Sequence, residues 1–132
     1  MSLDINFYHN NPNFTGDYNN EDIDWSDRFI TDAQFNITHN MNIMAQNVPL
    51  SNGYTLYQLL WRGEEMDPPI EIASQMTELL VEGLKYLVAH KEELLQYNPS
   101  NGWGNFDSLL TFTSDCLIAT IKFPNDKVYF SR

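Results

Sequence analysis

His39 lies in the one long stretch of this chain that carries no charge. From Ala33 to Trp61 there is no Asp, Glu, Lys or Arg, although the chain's formal net charge is -11. Amides and hydroxyls stand there instead, among them Asn36, Thr38, Asn40, Asn42, Gln46, Asn47, Ser51 and Thr55. Charged side chains normally clothe a solvated surface, and buried amides need hydrogen-bond partners. The segment is therefore expected to be enclosed by the fold, a ligand or a partner. At helical spacing, Asn36, His39, Asn40, Ile43 and Asn47 share one face. An imidazole among amides suits a polar ligand or a positioned water, and equally suits hydrogen bonds between helices. Nucleophilic catalysis would require a Ser or Cys that the spacing does not bring near.

Two further groups could carry chemistry. Trp61-Arg62 ends the uncharged stretch and is followed by Glu64 and Glu65. Arg presents a planar fork for carboxylate or phosphate, and Trp a stacking face. The same Arg could simply pair with the neighbouring acids. The run Asn98-Pro99-Ser100-Asn101-Gly102-Trp103-Gly104 is dense in turn residues. Asn-Gly favours positive φ, and Gly104 allows close backbone approach. Trp103 is either presented from a rigid turn or plugs the core. This is no phosphate-binding P-loop, since it lacks Gly-Lys-Ser/Thr and a preceding strand.

Metal chemistry finds little support at this level. The run Asp17–Asp24 fails the EF-hand pattern, with Asp22 where Gly belongs and Arg28 where the bidentate Glu belongs. Only a looser divalent arrangement survives there. His9 and His90 are isolated, with no Cys or His at zinc spacing. No cofactor and no metal ligand set are expected.

Acidity excludes some partners. A pI near 4.3 opposes phosphate-backbone binding, which needs Lys and Arg to displace counterions. Anionic membrane surfaces are excluded for the same reason. The single Cys116 cannot form an internal disulfide, no basic-then-apolar leader is evident, and no apolar run approaches ~18 residues. A cytoplasmic protein with no membrane span is expected.

The elements that must position these residues read as follows. Leu3, Ile5 and Phe7 alternate with polar neighbours, predicting a short strand. Asn10–Asn20 is a polar loop and Glu21–Ile30 is ambiguous. Asp32 caps a helix to about Asn47, with Ile37, Met41, Met44 and Val48 on its inner face. Ser51–Trp61 reads as a second helix. Asp67-Pro68-Pro69 opens the strongest helix, whose stripe is Ile72, Met76, Leu79, Leu80, Gly83 and Leu87, and Asn98-Pro99 ends it. Phe106–Ile121 reads as a fourth helix, and Lys127–Ser131 as a final strand that pairs with the first. The expected fold is mainly α: about four helices in one domain over 1–132, with a small β element from the terminal strands. Within it, 1–32 is an acidic strand and loop region, 33–123 the helical core and 127–131 the last strand.

Four motifs together, Thr38-His39-Asn40, Leu60-Trp61-Arg62-Gly63-Glu64-Glu65, Asn98–Gly104 and Ser131-Arg132, resemble a group of small uncharacterised proteins encoded by bacteria and their phages. The resemblance covers about residue 35 to the end and rests on motif order and spacing. It implies that Thr38, His39, Asn40, Trp61, Arg62, Asn98, Asn101 and Trp103 are the group's signature, and it implies no activity.

These readings converge on a small acidic binding protein. Its expected site is His39, Asn40, Trp61, Arg62, Asn101 and Trp103, its partner another protein or a small anionic ligand. One alternative is an enzyme with His39 as general base, oriented by a carboxylate such as Glu64, and Arg62 holding an anionic substrate. Another is a structural protein whose uncharged stretch is a homo-oligomer interface.

Overall fold

Alternation of apolar and polar residues at the N-terminus makes the central strand of a sheet. In β1 (Ser2–Asn10), Leu3, Ile5 and Phe7 are fully buried while their neighbours face outward, the period-2 pattern of a strand with one covered face. The computed structural model describes all residues, Met1–Arg132. β1 is flanked on both sides by antiparallel partners, β2 (Phe29–Thr38) and β3 (Lys127–Ser131), in the order β2-β1-β3. Phe7 faces Ala33 whereas Tyr8 faces Thr31, so Asp32 is an extra residue on β2. That is a β-bulge, which kinks the strand and re-aims a side chain.

Six helices accompany the sheet: α1 (Trp25–Arg28), α2 (Asn42–Gln46), α3 (Leu56–Trp61), α4 (Thr77–Ala89), α5 (Lys91–Leu94) and α6 (Phe106–Lys122). α4 and α6 pack on each other, and α6 also packs on β2. One apolar cluster of 25 buried residues joins the sheet to the helices. Before α1 the acidic loop folds around Arg28, whose guanidinium donates to the carbonyls of Ile23 and Tyr18, each at 3.0 Å. No helix is long and apolar enough to cross a membrane.

The mainly α expectation is therefore corrected. Helix accounts for 46% of the chain and strand for 20%, a mixed α/β fold with a three-stranded antiparallel sheet. The error lies in the helix expected over Asp32–Asn47. Its first part is β2, and the chain passes through a 3-10 turn at His39–Met41 into α2. Ile37, Met41, Met44 and Val48 are all buried, as the helical spacing requires, but Ile37 reaches the core from a strand. β1 and β3 do pair, yet β1 has a second edge, and β2 fills it along its whole length.

The two long helices start and pack for local reasons. α4 begins at Thr77 instead of following Asp67-Pro68-Pro69, because the preceding segment bridges to β3: Ile72 pairs with Lys127 and is part-exposed. Met76, Leu80, Gly83 and Leu87 remain the inner stripe. α6 is capped by Asn105, whose side chain accepts from Ser108 N–H at 3.1 Å. Its buried hydroxyls are satisfied locally, Thr113 donating to the Leu109 carbonyl and Thr120 to that of Leu117, both at 2.8 Å. Such back-bonding lets β-branched residues sit inside a helix.

Candidate functional site

Where β2 ends, Thr38 turns the chain. Its hydroxyl accepts from Asn40 N–H at 3.3 Å, capping the turn that buries Met41 and sets His39 against α3. α3 is held by a capping box, Thr55 Oγ1 accepting from Gln58 N–H and Gln58 Oε1 from Thr55 N–H. At its end Trp61 is 2% exposed, and its indole Nε1–H donates to His39 Nδ1 at 3.0 Å. An indole can only donate, so Nδ1 supplies the lone pair and the proton of this neutral ring is on Nε2.

That tautomer removes the chemistry expected of His39. Neither ring nitrogen has a lone pair free to accept a substrate proton while the indole bond stands. Glu64, expected to orient the imidazole, instead binds Arg132, which also donates to the Trp61 carbonyl at 2.6 Å. Asn36 and Asn47 do not share a face with His39 either. Asn36 Nδ2 donates across the strands to Ser2 Oγ and Asp4 Oδ1, and Asn47 Nδ2 to the Ile43 carbonyl.

The loop after α5 docks on this turn. Asn98 Oδ1 accepts from Phe106 N–H and Asn101 Oδ1 from Trp103 N–H, both at 2.9 Å. Gly102 and Gly104 have φ of +77° and +95°. A Cβ on Gly104 would lie 2.8 Å from Met41 Sδ and 2.9 Å from Thr38 Cγ2, so only glycine permits this seat. Trp103, held by the turn, is 70% exposed and does not plug the core.

Between the turn and the loop is a concavity of about 560 Å³, lined by His39, Asn40 and Ile43 on one side and Asn98, Ser100 and Asn101 on the other. A hollow of about 350 Å³ adjoins it, with Thr38, His39, Asn40 and Trp103 in its wall. No charged side chain lines either one. Thr38 also borders a third trough of about 660 Å³ between β2 and α6, whose lining includes Asp107 and Asp115. On the edge of β2 turned away from β1, Phe29 N–H donates to the Trp25 carbonyl, and beyond it, from Ile30 to Thr38, the edge carries no further backbone hydrogen bond. The first two hollows share His39 and Asn40, and Thr38 borders both the second hollow and the trough.

Of the six residues expected in the site, His39, Asn40, Asn101 and Trp103 line adjoining hollows. Trp61 lies behind His39 as its support. Arg62 is elsewhere, donating to Tyr57 Oη at 3.3 Å and Glu65 Oε2 at 2.9 Å beside Tyr54 and Met66. Arg62 holds the Glu65 carboxyl below its usual range. Cys116 is fully buried, and burial pushes its thiol above the ordinary value, so it is no nucleophile.

A second cluster escapes the sequence reading altogether. His9 on β1, Asp32 at the bulge and Asp126 in the turn before β3 meet at one end of the sheet. His9 Nδ1 lies 2.8 Å from Asp32 Oδ2 and 3.9 Å from Asp126 Oδ1. The alternation Leu3, Ile5, Phe7, His9 was the available signal, because it puts His9 on the covered face. Asp126 is 7% exposed, and its Oδ2 is buried without a hydrogen-bond partner. Burial first, then the adjacent Asp32, push its carboxyl up to about 6, while hydrogen bonds from its two neighbours hold Asp32 below the usual range. By contrast the acidic loop uses Asp17 Oδ1 to accept from Asn19 N–H, and no carboxylate cluster forms there.

Compared with known proteins, the chain matches no family model, no curated protein and no solved structure.

His39→Ala removes the acceptor of the Trp61 indole N–H and is expected to destabilise the fold by about 1–3 kcal/mol. Asn40→Ala should stay within about 0.5 kcal/mol. Urea denaturation followed by tryptophan fluorescence compares the two. For Asp126 the sign is set by its raised pKa. The folded chain binds that proton more tightly than the unfolded one, so between about pH 4 and 6 stability falls as pH rises. With EDTA present, Asp126→Asn removes this loss and should raise stability at pH 7, seen as a flatter dependence of stability on pH from 4 to 7.

Proposed function

We propose that this is a small, acidic, non-enzymatic binding protein that captures an extended segment of another protein. The observation that carries the reading is the uncharged amide concavity, adjoined by a hollow that an exposed Trp103 walls, with Thr38 linking that hollow to the largely unpaired edge of β2. Asn side chains offer donors and acceptors together, matching the alternating groups of a peptide backbone. Trp103 and Ile43, 70% and 55% exposed, supply apolar anchors of the kind that dominate interface energetics. An unpaired strand edge adds an incoming strand through main-chain hydrogen bonds. Asp107 and Asp115 beside that edge favour a basic side chain at one end of the ligand.

Other readings fit the groove less well. A small anion finds no cationic side chain there, since Arg62 is turned towards Glu65. His39 as general base would have to give up the Trp61 bond. The resemblance carried by the four motifs supports a bacterium or its phage as the source, and the single free Cys116 supports a cytoplasmic setting.

Selection of random linear peptides on the immobilised protein tests the proposal. Enriched peptides are expected to bind in the range of ~1–100 µM and to weaken at least ~10-fold on Trp103→Ala. Bound peptide should slow exchange of the outward amides of β2. Absence of enrichment, or peptides indifferent to Trp103→Ala, would contradict it.

A further inference from the structure

The cluster at the far end of the sheet has the composition of a metal site. His9, Asp32 and Asp126 each offer one donor atom, all within 4.8 Å of one another. Three elements converge there, β1, the bulge of β2 and the turn before β3. Two carboxylates stand together, and the only basic side chain within ion-pair distance is His9. Lys127, the next residue, is engaged elsewhere, its Nζ donating to Asn10 Oδ1 at 3.1 Å. The independent sign is Asp126 Oδ2, a buried carboxylate oxygen that no N–H or hydroxyl reaches, on a residue more than nine-tenths buried, so a proton shared with Asp32 is its one alternative to an ion. A carboxylate oxygen is rarely left so, because an unpaired buried acceptor is strongly disfavoured.

We infer that His9, Asp32 and Asp126 bind one divalent transition-metal ion. One imidazole and two carboxylates suit Zn²⁺ or Mn²⁺ better than Ca²⁺, which prefers a shell made only of oxygens. Ligands at ~2.0–2.2 Å from a common ion are separated by roughly 3–4 Å. Reaching that geometry requires His9 Nδ1 to yield its hydrogen bond to Asp32 and the donors to shift by less than about 1 Å. The bulge supplies the reason Asp32 points to the cluster, since re-aiming one side chain is what an extra strand residue does. The His9 side chain is 44% exposed, so the ion is reached from solvent and water completes its shell. This site is independent of the groove. His9 lies about 23 Å along β1 from Ser2, which pairs with Thr38 at the groove's end.

Isothermal titration of the EDTA-stripped full chain with Zn²⁺ and with Mn²⁺, alongside ring-proton NMR of the three histidines, decides the matter. The expected result is one ion per chain, with His9 ring signals shifting and those of His39 and His90 unmoved. Asp126→Asn and Asp32→Asn should each weaken binding at least ~100-fold, while circular dichroism shows each variant folded. At saturation the wild-type midpoint should rise by about 8 °C. Absence of saturable binding overturns the assignment. So does undiminished binding in a folded variant, tighter Ca²⁺ than Zn²⁺ binding, or a saturating ion that leaves His9 unmoved.

Discussion

The hydrogen bond from the Trp61 indole to His39 Nδ1 joins the two layers of this molecule at the point where its candidate site is built. Trp61 is almost wholly buried, and its N–H would be unsatisfied without the imidazole. The bond fixes the end of α3 against the turn that follows β2. Arg132, beyond β3, closes the same corner by donating to the Trp61 carbonyl and pairing with Glu64. Both edge strands are thereby tied to one helix end. Gly104 then seats the Asn98–Gly104 loop on Thr38 and Met41. The groove floor, the His39 tautomer and the presentation of Trp103 all follow from this corner.

This wiring also explains why four motifs far apart in sequence keep company. Thr38-His39-Asn40, Trp61 with Glu64, the Asn98–Gly104 loop and Arg132 meet through side-chain contacts that the fold itself requires. Part of the motif content is therefore structural. What remains exposed and unpartnered, Trp103 and the amides facing it, is the part available to a ligand. Arg62 shows the limit of reading neighbours in sequence as neighbours in space. At a helix end, adjacent residues diverge by about 100°, so Trp61 enters the core while Arg62 turns to Tyr57 and Glu65.

The legible parts of the fold were those with an uninterrupted period. β1 alternates cleanly, α4 and α6 carry helical stripes, and the turn residues of Asn98–Gly104 announce their backbone. β2 was hidden because Ile37, Met41, Met44 and Val48 fit one helical face although the chain changes from strand to turn between the first two. The bulge at Asp32 further breaks the period-2 pattern that would have revealed the strand. Asp32 reads equally well as a helix cap, a role that needs only its residue type. His9, Asp32 and Asp126 obey no spacing rule, because a sheet assembles them from three separate segments. Their meeting depends on strand order and register, which periodicity does not encode.

The central claim is that His39 is a neutral, Nε2-protonated acceptor for Trp61, holding the corner and not serving as a base. Nitrogen NMR of the histidine rings, read with the Trp61 indole proton, tests it most directly. The account predicts an unprotonated, hydrogen-bonded Nδ1 on His39, a protonated Nε2, and an indole proton of Trp61 that exchanges slowly with solvent. A protonated Nδ1, or an indole proton exchanging as fast as that of the exposed Trp103, would contradict it.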